Sequence, residues 1–456
     1  MDRRKFIKDM GVAAGAAFTL PRFSIASTKS PNSKINVACV GVGGIGSMTF
    51  NGMGGEANIV ALCDVDLKYS AANRKKYAPD AKFFTDYRQM LDKMCKDIDA
   101  VTVSTPDHSH FKIAMDSMQC GKHVAVQKPL THDVWQAREL AKARDYYKVQ
   151  TQMMNQGHAT SSIRMIKEWY DSGVTGAVRQ VHVMCTGPNW QSVYFKKPEK
   201  FPVTKEDVPQ GIDWELWLNQ AKYTDYNHIY MPLTWRSFWD FGTGMLGDWF
   251  CHTGDAPVWA LDLKDPVSIE LLESDCSFDP NVFIPNASVV KWTFPATEKR
   301  PAVEMFWYDG GKIPAQKPHD WDADRPFEFK GGMLMVGDKH TIETGSRPNI
   351  NPRMANTQFF KEFKHNMPKK SIPRVRKDNL YFEWFDAIKG EGPECGSNFG
   401  YASQLSEVAL LGSLAQRLGG KIEWDAKNMR SPNRPEAAQY VRMQPRKGWE
   451  ASVPNS

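Results

Sequence analysis

The sequence predicts two domains, an α/β domain built on a parallel sheet and then an α+β domain with an open, mainly antiparallel sheet. From Ile35 onward, β-branched apolar runs alternate with longer amphipathic stretches, which is typical of a parallel sheet wound with helices. After Gly157 this alternation stops and longer strands follow. A length of 456 residues with 41% hydrophobic side chains also fits two or three domains with a sizeable core.

The first domain is predicted over residues 35–157. Its strand candidates are short and mostly β-branched: Ile35–Val40, Ile59–Cys63, Ala100–Ser104, His123–Val126 and Val149–Met153. Amphipathic stretches between them predict helices. In Val134–Tyr147, for example, the apolar residues recur on one helical face.

The second domain is predicted over residues 158–456. A helix at Ser161–Tyr170 and a strand at Val178–Met184 precede a long irregular stretch over residues 187–244. Further strands are expected at Val267–Leu272, Ser288–Phe294, Ala302–Tyr308 and Gly332–Val336. The last apolar helix, Leu405–Leu418, ends at two glycines, which is a common helix stop.

Composition excludes several classes of protein. The net charge is +6, and removing residues 1–26, with five basic and two acidic side chains, would leave +3, too little for a nucleic-acid partner. Beyond the N-terminus no apolar run approaches the ~18 residues of a membrane span, so stable membrane insertion is not expected. The eight cysteines are scattered without metal-ligand spacing, and neither a disulfide scaffold nor a metal site is expected.

Residues 1–34 have the pattern of a signal peptide and linker. A basic stretch precedes the small apolar run Gly11–Leu20, and Ser24-Ile25-Ala26 fits a small-x-small cleavage site. Arg3 and Arg4 resemble the twin-arginine export signal, which implies a periplasmic bacterial protein exported in folded form. The alternative is a disordered basic tail, which would leave the apolar run and the cleavage site unexplained.

A glycine-rich turn follows the first strand directly. Gly41, Gly43 and Gly46 have the G-x-G-x-x-G spacing of a dinucleotide-binding (Rossmann) turn, with Gly44 and Ile45 inside it. The second strand ends at Asp64, about twenty residues on, where a carboxylate binds the adenosine ribose and repels a 2′-phosphate. The predicted cofactor is therefore NAD.

Two further motifs come at the ends of the predicted strands Ala100–Ser104 and His123–Val126. They are Ser104-Thr105-Pro106-Asp107-His108-Ser109-His110 and Val126-Gln127-Lys128-Pro129-Leu130. Together with the glycine turn, the sequence resembles the Gfo/Idh/MocA family of sugar and cyclitol dehydrogenases. The resemblance implies cofactor contacts at Thr105, Pro106, His110, Gln127 and Lys128. It also implies an active-site lysine at Lys128, although Gln127 replaces the family's glutamate.

A second family element, Asp-x-x-x-His, is present in the second domain as Asp248 and His252. This spacing puts both side chains on one helix face. The chemistry and the resemblance together suggest that His252 takes the hydroxyl proton, that Lys128 polarises the oxygen, and that Asp248 orients these groups or binds substrate. For an isolated pair, a packed histidine beside a surface aspartate would be the ordinary interpretation.

Several weaker candidates complete the predicted substrate site. Asn155, Gln156 and His158 follow the predicted strand Val149–Met153 and line the cleft if that loop faces it, although a polar domain boundary is equally ordinary. Trp235 belongs to a tryptophan-rich stretch that suits sugar rings but also suits packing. Arg236 would bind a polyhydroxyl or anionic substrate, or form a structural ion pair.

The leading hypothesis is an NAD-dependent oxidoreductase that acts on a secondary hydroxyl of a sugar, sugar derivative or cyclitol. Because a periplasmic enzyme has little free NAD, the cofactor is expected to be retained and the reaction to be redox-neutral. Two alternatives stay open: NAD-dependent glycoside cleavage through a transient keto-sugar, and a non-catalytic NAD- or sugar-binding module. A homodimer or homotetramer is expected, formed through the open sheet of the second domain that includes Val289–Phe294 and Val303–Trp307.

Overall fold

Two β-sheets organise the computed structural model, which describes residues 34–328, 331–345 and 351–454. Of the predicted signal peptide and linker over residues 1–34, residues 1–33 lie outside the described residues. From Ile35 onward the chain packs as one compact unit. In the described ranges, no helix combines the length and the apolar character needed to cross a membrane.

The first sheet has six strands in the order β3-β2-β1-β4-β5-β6, and every neighbouring pair is parallel. Its strands are β1 (Ile35–Val40), β2 (Ala57–Cys63), β3 (Lys82–Phe84), β4 (Ala100–Val103), β5 (His123–Val126) and β6 (Thr151–Met153). This order puts the end of β1 at the centre of the sheet, where the strand order reverses and open α/β sheets bind their ligands.

Helices connect these strands. They are α1 (Gly46–Met53), α2 (Leu67–Tyr77), α3 (Tyr87–Met94), α4 (His110–Gln119) and α5 (Val134–Tyr147), and α6 (Ser161–Asp171) follows the last strand. Aspartates begin three of them, because the side chains of Asp66, Asp86 and Asp133 accept hydrogen bonds from free backbone N–H groups of the first turn. Lys148 ends α5 in the left-handed conformation.

The second sheet has eight strands in the order β13-β12-β11-β7-β10-β9-β8-β14. The strands are β7 (Val178–Met184), β8 (Ser268–Asp275), β9 (Ala287–Phe294), β10 (Val303–Tyr308), β11 (Gly332–Gly337), β12 (Thr341–Thr344), β13 (Arg353–Met354) and β14 (Lys421–Glu423). Neighbouring strands are antiparallel except for the parallel pair β7 and β10. The predicted fold class, with its mainly antiparallel second sheet, is confirmed.

The remaining helices pack against this sheet or bridge it to the first one. They are α7 (Trp214–Leu218), α8 (Cys251–Thr253), α9 (Asp255–Leu261), α10 (Thr357–Phe363), α11 (Leu380–Lys389), α12 (Phe399–Leu418) and α13 (Ala438–Val441). A π-helical turn, Leu246–Phe250, precedes α8. Single 3-10 turns occur at Asp107–Ser109, Gln156–Ala159, His228–Tyr230, Thr234–Ser237, Arg376–Asp378 and Pro435–Ala437. Helix α12 lies in the main core, where Trp292 donates its indole N–H to the carbonyl of Val408 at 3.1 Å.

The sequence missed four short strands and the first six residues of helix α12. Strands β3, β12, β13 and β14 have two to four residues each, too few to show a period. Helix α12 begins at Phe399, six residues before the predicted start, because Asn398 caps it with its side-chain oxygen.

Candidate cofactor and active site

The glycine turn is shaped by close approaches of the backbone. Gly41 has φ +82°, and a Cβ atom there would lie 2.4 Å from the carbonyl oxygen of Ser104 at the end of β4. A Cβ on Gly46 would lie 2.5 Å from the carbonyl oxygen of Gly41. At Gly43 the space for a Cβ is taken by the ring of Tyr69, 2.2 Å away. Each glycine of the fingerprint therefore has a steric requirement in this fold.

Asp64 ties the glycine turn to the end of β2. Its Oδ2 accepts hydrogen bonds from the N–H groups of Val42 (2.8 Å) and Gly43 (3.1 Å), and its Oδ1 accepts one from Asp66 (2.9 Å). Burial raises the pKa of Asp64, and these backbone donors oppose the rise. The carboxylate therefore orders the turn in addition to facing the predicted ribose position.

An elongated cleft runs along the carboxyl edge of the first sheet. The predicted cofactor residues Gly41, Gly43, Gly44, Ile45, Asp64, Thr105 and Pro106 line it. The side chains of Tyr69 and Leu233 lie over the turn at Gly44 and form the outer wall there. We call this the cofactor cleft; it encloses about 880 Å³, counting the part open to solvent.

A second, wider cleft adjoins the first, and Ile45, Thr105, Trp235 and Arg236 line both. We call it the substrate cleft. Sequence-predicted residues in its lining are Gln127, Lys128, Gln156, Asp248 and His252, besides the shared ones. The structure therefore brings together residues from the loops after β4, β5 and β6 and from the turn before α8.

Lys128 and Asp248 form the central ion pair of the substrate cleft. The Lys128 ammonium donates to Asp248 Oδ1 at 2.7 Å and to the Asp248 carbonyl at 2.6 Å. Arg236 Nε approaches the same Oδ1 at 3.3 Å. Burial opposes ionisation of Asp248, but Lys128 and Arg236 outweigh it and hold the pKa of this carboxyl well below its usual range.

Asp248 lies in the π-helical turn and not in a regular α-helix. His252 lies in α8, directly after this turn, and its ring is in contact with that of Trp249, 5.8 Å between centroids. Both Asp248 and His252 line the substrate cleft, His252 with only 5% of its surface exposed. Such π turns are frequent at functional sites because they re-aim side chains without ending the helix.

Asp107 also lines the substrate cleft. It belongs to the motif that follows β4, but it was not among the predicted site residues. It is 6% exposed, and its Oδ2 accepts a hydrogen bond from Thr243 Oγ1 at 2.7 Å. Burial raises the pKa of Asp107 to about 6, although Thr243, Arg236 and Lys128 oppose the rise. The signal that could have identified it is an acidic residue directly after Thr105-Pro106 at the carboxyl end of β4.

His110 lies beneath the clefts and not in their lining. Its ring nitrogens contact the carbonyl oxygens of Pro129 (2.9 Å) and Thr105 (2.8 Å), and the residue is 1% exposed. Burial lowers the pKa of His110 to about 4. His110 therefore joins the loop after β4 to the loop that carries Lys128, which is a positioning role and differs from the expected cofactor contact.

Of the three residues after β6, the structure places only Gln156 in the substrate cleft. Asn155 and His158 are 1% and 0% exposed. His158 Nδ1 lies 2.9 Å from Asp255 Oδ1, and Asn155 Nδ2 donates to Asp255 Oδ2 at 3.0 Å. These two side chains belong to a buried network beneath α8 and α9.

Trp235 and Arg236 lie between the clefts. The Arg236 guanidinium carbon lies 4.1 Å from the Trp235 ring centroid, and its Nη1 donates to the carbonyl of Leu233 at 3.1 Å. Trp214 and Trp217 stack at 4.6 Å in an aromatic cluster that also contains Trp235, and Trp217 lines the cofactor cleft.

Two family models match the chain over both parts of this site. Residues 35–155 match the model described as "Oxidoreductase family, NAD-binding Rossmann fold". Residues 159–282 match the companion model, "Oxidoreductase family, C-terminal alpha/beta domain". The chain belongs to the Gfo/Idh/MocA oxidoreductase family.

Similar proteins of the family include dehydrogenases of cyclitols and sugars. Inositol 2-dehydrogenase of Salmonella typhimurium is 25% identical over 202 residues, which cover 43% of this chain and 58% of that protein. The chain thus spans somewhat over half the length of this curated relative.

Solved structures of the family share the fold. The WlbA dehydrogenase from Bordetella pertussis, in complex with NADH and UDP-GlcNAcA, has a TM-score of 0.56 and 16% identity, covering 86% of this chain and 99% of its own. The myo-inositol dehydrogenase from Lactobacillus casei, in complex with NAD(H) and myo-inositol, has a TM-score of 0.54 and 16% identity, covering 86% and 97%.

The residues of the cofactor cleft fit NAD, the cofactor of the family's Rossmann domain. The glycines of the turn border the cleft with no side chain of their own, and Asp64 lines the cleft at the end of β2. The cofactor cleft continues past β3 at one end and meets the substrate cleft at the other. This gives separate room for an adenosine and a nicotinamide half.

Proposed function

We propose that this protein is an NAD-dependent oxidoreductase acting on a secondary hydroxyl of a sugar, sugar derivative or cyclitol. The observation that carries the proposal is the Lys128–Asp248 pair, held at 2.7 Å in a cleft that joins the cofactor cleft. A charged lysine kept beside the cofactor position can stabilise the oxygen whose charge changes when a hydride leaves or arrives. NAD, when bound, supplies the hydride chemistry.

We assign the other roles in the reaction to side chains that line the substrate cleft. Lys128 donates a hydrogen bond to the reacting oxygen, and Asp248 orients that ammonium group. His252 takes or returns the hydroxyl proton, since an imidazole titrates near neutral pH. Arg236 fixes the second side of Asp248, at 3.3 Å.

The lining of the substrate cleft supports a carbohydrate. Polar side chains, such as Asn189 and Ser192, alternate with the aromatic residues Tyr194, Trp235 and Trp249. Aromatic faces and polar groups together suit a polyhydroxyl ring. The inositol and UDP-GlcNAcA named for the relatives above belong to the same chemical class.

We further propose that NAD is retained and that the net reaction is redox-neutral, in a protein exported to the periplasm by the twin-arginine route. This rests on the basic and apolar pattern of residues 1–34. An enzyme that released NADH where free NAD is scarce would stop after one turnover. Nanomolar retention corresponds to about −12 kcal/mol, which a dinucleotide buried in a closed cleft can supply.

The test is purification without added nucleotide, followed by mass spectrometry and a panel of sugars, cyclitols and glycosides. Stoichiometric bound NAD, with turnover in its absence from the buffer, would support the proposal. Protein that binds nucleotide reversibly and accumulates NADH in proportion to product would be an ordinary dissociable dehydrogenase. For the export signal, periplasmic fractionation with Arg3 and Arg4 changed to lysine is the corresponding measurement.

Glycoside cleavage through a transient keto-sugar is a second candidate for the same site. The substrate cleft has a volume of about 530 Å³, within the about 300–1,000 Å³ of small-molecule sites, so it has room for a sugar or a small glycoside. Release of an aglycone from a glycoside panel by wild-type protein would distinguish it from simple dehydrogenation. Turnover that survived both Lys128→Ala and His252→Ala would instead contradict both catalytic candidates, and no turnover on any panel would favour a binding module.

A further inference from the structure

The cofactor cleft has a wall that comes from the end of the chain. Trp449 lines this cleft, although it lies 167 residues beyond the last residue matched by the family models, at 282. Its side chain is 8% exposed. Trp449 therefore adds a large apolar ring to the wall of this cleft.

The position of Trp449 within the cleft identifies the half of the cofactor that it faces. Arg88, whose guanidinium lies against the Trp449 ring, belongs to the segment directly after β3, and Thr85 and Tyr87 of that segment line the cleft. In a sheet of this strand order, the adenosine half lies beyond the acid that ends β2, on the side of β3. Trp449 therefore belongs to the adenine end, away from Lys128 and the substrate cleft.

Trp449 is held through its ring and through its backbone. The guanidinium carbons of Arg88 and Arg446 lie 4.4 and 5.7 Å from the ring centroid. Gln220 Nε2 donates to the Trp449 backbone carbonyl at 3.0 Å, and the Trp449 backbone N–H donates to the carbonyl of Arg446 at 3.0 Å. The two guanidinium groups therefore position the indole, and the two hydrogen bonds fix the chain that carries it.

The segment around Trp449 is also fastened on both sides. Arg446 donates to the carbonyl of Asn219 from Nε (3.2 Å) and Nη2 (3.1 Å) and forms an ion pair with Glu215. The N–H of Met443 donates to Asp133 Oδ2 at 3.0 Å, at the start of α5. The tail is thus fastened to the start of α5 and to the segment after α7, where Asn219 lines the cofactor cleft.

We propose that Trp449 is a cofactor-binding residue that packs against the adenine ring of NAD and, with its tail segment, closes the outer wall of the cleft. The inference rests on the assignment of NAD to the cofactor cleft. Because the ring is held in place before the cofactor binds, little side-chain entropy is lost on binding. The same wall would slow dissociation of NAD, since the tail must move for the adenosine half to leave.

The experiment is a titration of charcoal-treated protein with 1,N6-etheno-NAD, whose modified adenine is fluorescent and is quenched on contact with an indole. The variants are Trp449→Ala, Trp449→Phe and Trp321→Ala. Trp321 is the matched control, since it is also 8% exposed and also lies against an arginine, Arg325 at 3.4 Å, but is not part of the cofactor cleft lining.

We expect Trp449→Ala to bind etheno-NAD about 10-fold more weakly, because aromatic contacts with a base have this magnitude, and to lose much of the quenching. Trp449→Phe should recover most of the affinity, and Trp321→Ala should match wild type. Wild-type affinity and quenching in Trp449→Ala would overturn the inference, as would equal losses in Trp321→Ala. Wild-type protein that binds no nucleotide would overturn the cofactor assignment as well, whereas binding as expected without turnover on any panel would contradict only the proposed function.

Discussion

Arg236 Nε lies 3.3 Å from Asp248 Oδ1, so a side chain that lines both clefts contacts the carboxylate that also binds Lys128. Two cations share one carboxylate at the junction of the cofactor and substrate clefts. If only one cation contacted Asp248, the carboxylate would neutralise its charge. Because two cations share this carboxylate, positive charge is left for an oxygen atom that becomes more negative during the reaction.

The first prediction concerns the lysine of this group. Lys128→Ala should lower kcat by about 10²–10³-fold, since the charge that stabilises the reacting oxygen is lost. NAD content should be unchanged, because the adenosine contacts lie at the other end of the cleft. Steady-state kinetics on the best panel substrate and mass spectrometry of bound nucleotide measure the two quantities.

Lys112→Ala is the matched control for this variant. Lys112 forms a similarly buried ion pair with Asp116, at 2.5 Å, on α4 and outside both cleft linings. The Lys112→Ala variant should be less stable than wild type but should have the same kcat. A comparable fall in kcat in both variants would show that Lys128 acts through the fold and not in the reaction.

The second prediction is that Asp64 selects NAD over NADP. Asp64→Ser should reduce the ratio of NADP to NAD dissociation constants, since the repulsion between the carboxylate and a 2′-phosphate is removed. The variant should also bind NAD less tightly, because Val42 and Gly43 lose the acceptor that orders their N–H groups.

Asp66→Ser controls for the loss of a nearby acid, since Asp66 caps α2 two residues later and also lines the cofactor cleft. Its preference for NAD should stay close to that of wild type. Calorimetric titration of each variant with both nucleotides gives the ratio. Equal affinity of wild-type protein for NAD and NADP would refute the assignment of Asp64.

The third prediction uses the raised pKa of Asp107. Its folded-state pKa of about 6 exceeds the ordinary carboxyl value, so the protonated form is favoured by folding. The resulting stabilisation is complete at low pH and is lost as the pH rises through 6. Asp107→Asn should therefore reduce the decrease in unfolding free energy between pH 5 and pH 8, by about 1 kcal/mol.

Asp309→Asn is the control that separates an effect on the pH dependence of stability from an effect on the reaction. Burial also raises the pKa of Asp309 to about 6, but this residue is hydrogen-bonded to Trp307 and Ser288 and is absent from both cleft linings. Asp309→Asn should change the pH dependence of stability in the same direction and leave the pH profile of turnover unchanged. Asp107→Asn should alter that profile near pH 6. If the pH profiles of turnover were identical in the two variants, Asp107 would have no part in the reaction.

The fourth prediction is a dimer or tetramer formed through the outer face of the second sheet. On that face Phe306 is half-buried and stacks on His182, with ring centroids 5.2 Å apart. Phe306→Glu should shift light-scattering mass toward the monomer. Tyr146→Glu, at a ring that is 63% exposed on α5, should have no such effect. A monomeric wild-type protein at micromolar concentration would contradict the prediction.

The sequence predicts where a residue lies when its position is set by the strand that directly precedes it. The turn after β1, the acid after β2 and the lysine after β5 occupy fixed places relative to parallel strands, so their motifs locate them in space. Trp449 and the burial of His158 could not be predicted in this way. Both depend on which distant segments meet, since Trp449 contacts residues more than 300 positions earlier and His158 pairs with Asp255.

The last prediction concerns that buried pair. Asp255 and His158 are both fully buried, and Asp255 also accepts hydrogen bonds from Tyr401 Oη at 2.6 Å and Asn155 Nδ2 at 3.0 Å. Asp255→Ala leaves three buried polar groups without their common partner, so it should lower the free energy of unfolding by about 3–5 kcal/mol. Tyr401→Phe removes a single donor and should cost only about 1–2 kcal/mol. Because Asp255 follows His252 by three residues, kcat should fall in Asp255→Ala even at temperatures where the variant is fully folded. Denaturant unfolding measures the loss of stability, and kinetics at 15 °C measure the change in kcat. If Asp255→Ala were destabilised no more than Tyr401→Phe, the network would contribute no more than separate hydrogen bonds.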